Sequence, residues 1–176
     1  KLPLVLIDPL PRHLAPSSPF FRRSYVQNDS ASVGVAAADY FLEHGVKRFA
    51  YVGEVLDRLW SRGRGEGFTG RLREAGFDCQ SYMPLTDAEI NDWAEEQSKL
   101  TRWLAALPKP VALFVAMDIR ARQVLDTCLM NGIKVPDEVA ILGVDNDEQL
   151  CLSSTPTLSS IECDMVQCGF MAAQLL

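Results

Sequence analysis

The chain has 176 residues, 48% hydrophobic and 23% charged, with a formal net charge of −6. That length builds one full core and leaves little room for a second complete domain. An acidic chain with no stripe of Lys and Arg excludes nucleic-acid binding by these residues, and no run reaches the roughly 18 apolar residues that a membrane span needs.

Taken in order, Pro3 to Asp8 reads as a short strand ending on Asp8. Pro9, Pro11, Pro16 and Pro19 make the segment to Phe21 a loop or crossover, the one candidate linker. Ser24 to Gln27 reads as a brief strand. Asn28-Asp29-Ser30 offers a helix N-cap, and Val33, Ala37, Tyr40, Phe41 and His44 recur at helical spacing up to a stop at Gly45. Arg48 to Gly53 is the next strand. A polar stretch with Trp60 and Arg64 leads through the glycines 63, 65 and 67, read as a flexible turn, into a helix that Gly76 stops. Phe77 to Met83 reads as a strand and Ala88 to Leu107 as a helix with Trp93, Leu100, Trp103 and Leu104 on its apolar side. Val111 to Ala116 is a strand, and Asp118 caps a helix that ends at Gly132.

Val139 to Val144 then forms an unbroken apolar run, as expected of a strand buried on both faces, and it ends abruptly on Asp145-Asn146-Asp147-Glu148. Leu152 to Pro156 reads as a turn, Leu158 to Ile161 as a strand, and Asp164 starts a last helix to Leu176. The start at Lys1 and the uncapped final helix lead us to expect a fragment. Roughly seven strands and five helices in alternation imply an α/β, doubly wound parallel sheet with helices on both faces.

In such sheets ligands lie off the carboxyl ends of the strands. Trp60, Arg64, Asp118 and Asp145 all follow strand ends, so they are the candidate ligand-binding residues. A carboxylate accepts bonds from vicinal hydroxyls, a guanidinium offers a fork of donors, and an indole covers the C–H face of a sugar ring. Asp118 also fits a plain N-cap, Arg64 a solvated charge among Arg58, Arg62 and Arg71, and Trp60 a rim aromatic.

Other chemistry finds no support. The glycine run 63–67 has neither phosphate-binding order. Neither His13 nor His44 lies near a strand tip, so no catalytic residue, metal site or cofactor is expected, and the protein is not expected to be an enzyme. Five cysteines, 79, 128, 151, 163 and 168, without a C-x-x-C pair read as reduced thiols of a cytoplasmic protein.

Gly45 to Gly53, Arg64 to Phe68, Val135 to Asp145 and Pro156 to Ile161, in that order, together resemble segments of lactose/galactose-repressor-type regulators with a type I, periplasmic-binding-protein-like lobe. Gly45 to Gly53 (GVKRFAYVG) is similar to their basic-apolar strand, and Arg64-Gly65-Glu66-Gly67-Phe68 to a step whose arginine contacts the effector. Val135 to Asp145 (VPDEVAILGVD) is similar to the segment whose final Asp holds sugar hydroxyls, and Pro156-Thr157-Leu158-Ser159-Ser160-Ile161 to the crossover strand. Asp118 to Leu125, together with the Asp145-Asn146-Asp147-Glu148 turn and Cys151, looks closest to AraC-type xylose-operon regulators. One departure is Met117-Asp118, where the family usually has Asn-Asp.

The resemblance implies a cytoplasmic, homodimeric sugar sensor, with xylose a candidate effector, that acts on DNA through a helix-turn-helix domain outside this chain. The alternative is a periplasmic sugar-binding protein of a transport system. It also implies a division: residues 1–23 end a first lobe and cross over, 24–162 form the second lobe, and 163–176 return to the first.

Overall fold

The computed structural model describes residues 3–54, 58–82 and 93–176, without the side chain of Trp93. Five strands form one parallel sheet: β3 (Phe49–Val52), β4 (Cys79–Tyr82), β5 (Val111–Val115), β6 (Val139–Val144) and β7 (Ser159–Ile161). Their spatial order is β4-β3-β5-β6-β7. The chain therefore moves from β3 outward to β4 and then crosses back to β5, so the strand order reverses between β3 and β5, where a crevice opens at the carboxyl ends.

The central strands β3 and β5 are buried along their whole length, and β6 everywhere but at Ala140, because helices cover both faces. On one face lie α2 (Ser30–Glu43) and α3 (Leu59–Glu74), whose Phe41, Phe68 and Leu72 meet Phe49, Tyr51, Phe114 and Val144. On the other lie α4 (Trp93–Ala106) and α5 (Asp118–Met130), whose Leu100, Leu104, Val124 and Leu125 meet Val52, Leu113, Val115 and Val139. Alternate residues of β3 and β5 thus feed two different cores, as the period of a strand requires.

A second, smaller unit pairs β1 (Val5–Ile7) with β2 (Ser24–Val26) in parallel, and α7 (Met165–Gln174) packs Cys168 and Ala172 against Val5 and Val26. Residues 24–26, expected in the larger unit, hydrogen-bond instead to β1.

Several local expectations shift. The proline-rich crossover contains a four-residue helix, α1 (Pro11–Leu14), with Pro11 at the first helical position, where its missing N–H costs nothing. The turn after β6 holds a short helix, α6 (Glu148–Ser153), capped by Asp147, which accepts from the Leu150 amide at 3.0 Å. The buried face of α2 is rotated from the expected one: Gly34, Ala37, Ala38 and Phe41 face inward, while Tyr40 and His44 stack on the exposed side, 4.4 Å between centroids. Expectations at Met83 and Ala88, and for the Trp93 side chain, lie outside the described residues. Gly45, Gly76 and Gly132 end their helices with φ between 70° and 82°, the left-handed conformation that a helix stop uses.

One buried charge cluster was not anticipated. Arg120 on α5 pairs with Glu96 on α4, both almost without exposure, and the Tyr82 hydroxyl donates to Glu96 at 3.0 Å. Its members come from three separate elements, so it leaves no local trace in the sequence.

The cap of α2 gives a modest prediction. Asp29 accepts from the Ser32 amide at 3.1 Å and the Ser32 hydroxyl at 2.7 Å, and these bonds hold its carboxyl below the usual carboxylate range. Asp29→Ala should cost about 1 kcal/mol at neutral pH. A lowered folded pKa stabilises above the unfolded value of 3.8, so the deficit should fade as pH falls through it toward the lowered one. Urea unfolding of both proteins at pH 7 and pH 3 reads the difference.

Candidate functional site

A cavity of about 250 Å³ opens off the carboxyl ends of β3, β5 and β6, lined by Asp8, Asn28, Trp60, Arg64, Asp145 and Met165. Three of the four residues expected from the sequence are on its wall. The fourth, Asp118, lies behind it.

Arg64 reaches the site because α3 begins earlier than expected. The stretch 59–67 is helical, and its glycines serve packing rather than a turn. A methyl group at Gly67 would overlap the Ala31 carbonyl of α2, and one at Gly34 would overlap the Arg64 carbonyl, so the two helix backbones touch directly. Gly65 in turn lies on the Tyr51 ring. This close fit holds Arg64 over the end of β5.

There Arg64 is 5% exposed, and its guanidinium donates to the carbonyl of Ala116, the residue after that strand. Its second terminal nitrogen lies 3.4 Å from Asp145 Oδ1 and 3.7 Å from Cys163 Sγ. Trp60, one turn earlier, stacks on it with 4.9 Å from guanidinium carbon to ring centroid. The Arg64 Nε finds no partner among the described residues. A buried donor without an acceptor is costly, and an oxygen-rich ligand would satisfy it.

Asp145 follows β6 with φ 108°, and its side chain remains 44% exposed. Burial raises its pKa, Arg64 opposes the rise, and the Asp118 and Asp8 carboxylates add to it. The cavity thus holds more carboxylate than cation. Such a wall accepts hydroxyl donors and repels anionic ligands.

Asp118 is 1% exposed. It is the first residue of α5 rather than its cap, which is Met117. Its oxygens accept from the Ser160 hydroxyl at 2.7 Å, the Asp147 amide at 2.8 Å and the Cys151 thiol at 3.5 Å. Gly143 leaves room for it, since a methyl group there would overlap Oδ1.

The sequence reading missed three lining residues. Asp8 follows β1, Asn28 lies between β2 and α2, and Met165 begins α7, with the Asn28 amide 3.3 Å from the Met165 sulfur. Asn28 and Met165 lie on the two segments that join the small unit to the large one, and Asp8 on the crossover from β1 to β2. Only Asp8, a carboxylate at a strand end, carried a signal. Burial pushes the Cys151 thiol up to about 11 and raises Cys163, so both stay protonated and unreactive at neutral pH.

Residues 38–176 match the periplasmic binding protein-like domain. The chain belongs to that family. It is 32% identical over 166 residues to the xylose operon regulatory protein of Escherichia coli K12, a match covering 93% of this chain and 42% of that protein. The corresponding protein of Haemophilus influenzae is 30% identical over 154 residues, 86% of this chain and 40% of its own length. The chain therefore spans less than half of these relatives.

The ribose operon repressor of E. coli K12 is 28% identical over 152 residues, 86% of this chain and 45% of that protein. Among solved structures, that of the xylose-binding transcription activator xylR has a TM-score of 0.74 at 30% identity, covering 99% of this chain and 45% of that one. These likenesses support a LacI-like effector-binding domain, and the AraC-type attribution expected from the sequence is corrected to that coarser one. Among the described residues no helix is long and apolar enough to cross a membrane.

Proposed function

We propose that this chain is part of the sugar-sensing domain of a DNA-binding transcriptional regulator, with a neutral polyhydroxyl sugar, foremost a pentose such as xylose, as effector. The observation that carries it is the convergence of Arg64, Asp145 and Trp60 on one cavity at the crevice between β3 and β5. In this reading Asp145 accepts two hydroxyls, Arg64 offers its unpartnered Nε, and the indole of Trp60 covers the sugar's apolar face. Asp8 and Asn28 face the same space and extend the polar set.

The names of the relatives support regulation of a sugar operon over a role in transport. The domain division is proposed with one change, residues 24–26 joining the smaller unit. That unit leaves Ile7, Tyr25, Val166 and Phe170 at 46% exposure or more, apolar surface that a first lobe supplied by further chain would cover. DNA binding then belongs to another domain, the pair acting as a homodimer in the cytoplasm without a cofactor and without enzymatic turnover.

The mechanism is linkage. A sugar held between two lobes binds the closed arrangement better than the open one and shifts the population of the attached DNA-binding domain.

The test is calorimetry and thermal denaturation of the full-length gene product against pentoses and hexoses, with Asp145→Ala as control. A sugar present at 100 times its dissociation constant should add about 2.7 kcal/mol of stability, lost in the variant. No stabilisation by any sugar would overturn the sugar assignment.

A further inference from the structure

We propose that Asp118 and Ser160 are positioning residues: a clamp behind the cavity wall, buried Asp118 joined to half-buried Ser160, that holds the 145–147 turn in a conformation it would not otherwise keep, and so aims Asp145 at the ligand. The inference rests on the reading of the cavity as the sugar site, and it separates Asp118 from the residues that touch the ligand.

The turn needs holding. Asp145 and Asn146 have φ of 108° and 52°, two successive non-glycine residues in the region that L side chains rarely adopt. Such conformations persist only where the surroundings over-determine them. The Asp145 carboxylate is tethered weakly, by the 3.4 Å approach of Arg64, so its direction is set mainly by its own backbone.

Three consecutive amides of the turn are caught by three acceptors. The Asp145 amide donates to the Ile161 carbonyl at 2.9 Å, as β7 continues alongside. The Asn146 amide donates to Ser160 Oγ at 2.9 Å, and the Asp147 amide to Asp118 Oδ2 at 2.8 Å. Ser160 and Asp118 act as one unit, because the Ser160 hydroxyl donates a hydrogen bond to Asp118 Oδ1 at 2.7 Å. That bond turns the hydroxyl's lone pair toward the Asn146 amide. The Cys151 thiol from α6 adds a donor to Oδ2, and Gly143 keeps the space open in which the carboxylate sits. Asp118 therefore has its protein partners already and is 1% exposed. Its connection to the ligand runs through the turn.

The experiment measures D-xylose binding to the full-length gene product by calorimetry and amide hydrogen exchange by NMR. Variants are Ser160→Ala, Ser160→Thr, and Ser160→Ala combined with Asn146→Gly. Ser160→Ala should weaken binding about tenfold, because the acceptor of the Asn146 amide and the donor to Asp118 are removed together. Threonine keeps the hydroxyl and should restore affinity. Glycine at position 146 tolerates the positive φ unaided and should recover most of the loss, which a merely structural serine would not allow.

Exchange should quicken at amides 145–147 in Ser160→Ala while those of β5 and α5 stay protected, which also shows that the variant folds. Wild-type affinity in Ser160→Ala, or no recovery from Asn146→Gly, overturns the clamp. If the unaltered protein ignores D-xylose, the xylose assignment fails instead, and the exchange arm still decides: unchanged protection at 145–147 in Ser160→Ala refutes the clamp, and quickened exchange there upholds it.

Discussion

Gly67→Ala is expected to destabilise the protein by about 2–3 kcal/mol, whereas Gly70→Ala, almost one turn further along the same helix, should stabilise it by about 0.5–1 kcal/mol. The two substitutions add the same methyl and gain the same helix propensity. They differ in what the methyl meets. At Gly67 it enters the Ala31 carbonyl of α2, a backbone atom that cannot rotate away, while at Gly70 nothing lies within 4 Å. To relieve the overlap α3 must move off α2, and with it Phe68, which is fully buried against Tyr51 and Phe114. The expected loss corresponds to a fall of about 4–12 °C in melting temperature for a domain of this size. Denaturant midpoints of both variants, measured side by side, decide the matter. A common direction would mean that propensity dominates and that the α2–α3 contact is looser than described.

The same helix shows why part of the site was legible in the sequence and part was not. Each glycine costs a helix about 1 kcal/mol relative to alanine, so a stretch with three of them reads locally as a turn. Only the close approach of α2 and of the Tyr51 ring, both distant in sequence, makes glycine the residue that fits and restores the helix. By contrast, β3, β5 and β6 were readable because double burial leaves apolar runs, and Gly45, Gly76 and Gly132 were readable as stops because a left-handed terminal residue is a local demand.

Arg64, Trp60 and Asp145 could be anticipated by one rule, that polar residues just past the ends of parallel strands share a crevice. Asp118 obeys that rule by sequence and departs from it in space. Its partner Ser160 lies 42 residues away, and no local pattern distinguishes a carboxylate that lines the cavity from one that meets a hydroxyl behind it. Asn28 and Met165 were hidden for a related reason. They sit where the segments joining the two units converge, and that convergence exists only once β1, β2 and α7 have assembled.

Asp145→Asn should weaken sugar binding roughly 100-fold, since the carboxylate proposed to accept two hydroxyls becomes an amide that accepts at its oxygen and presents donors at its nitrogen. In the absence of ligand the same change should leave stability at pH 7 undiminished, or raise it, although it removes the partner of Arg64. The reason is the direction of the Asp145 shift. Burial and the neighbouring carboxylates of Asp118 and Asp8 raise its pKa above 3.8 despite Arg64. The folded protein therefore holds this proton more tightly than the unfolded chain does. Stability from this group is greatest below 3.8 and is lost as pH rises from there through the raised folded value. At neutral pH the ionised carboxylate is a net cost, moderated by solvent because the side chain is 44% exposed. Asparagine carries no such cost, so its advantage should be largest near pH 7 and should shrink as both proteins are acidified through the carboxylate range. Melting temperatures of the two ligand-free proteins between pH 3 and pH 8, set beside their sugar affinities at pH 7, test both halves. A variant that loses stability at pH 7 would identify the Arg64–Asp145 pair as a structural brace. A variant that keeps its stability and loses its ligand would identify Asp145 as a charge maintained for binding at the expense of the fold.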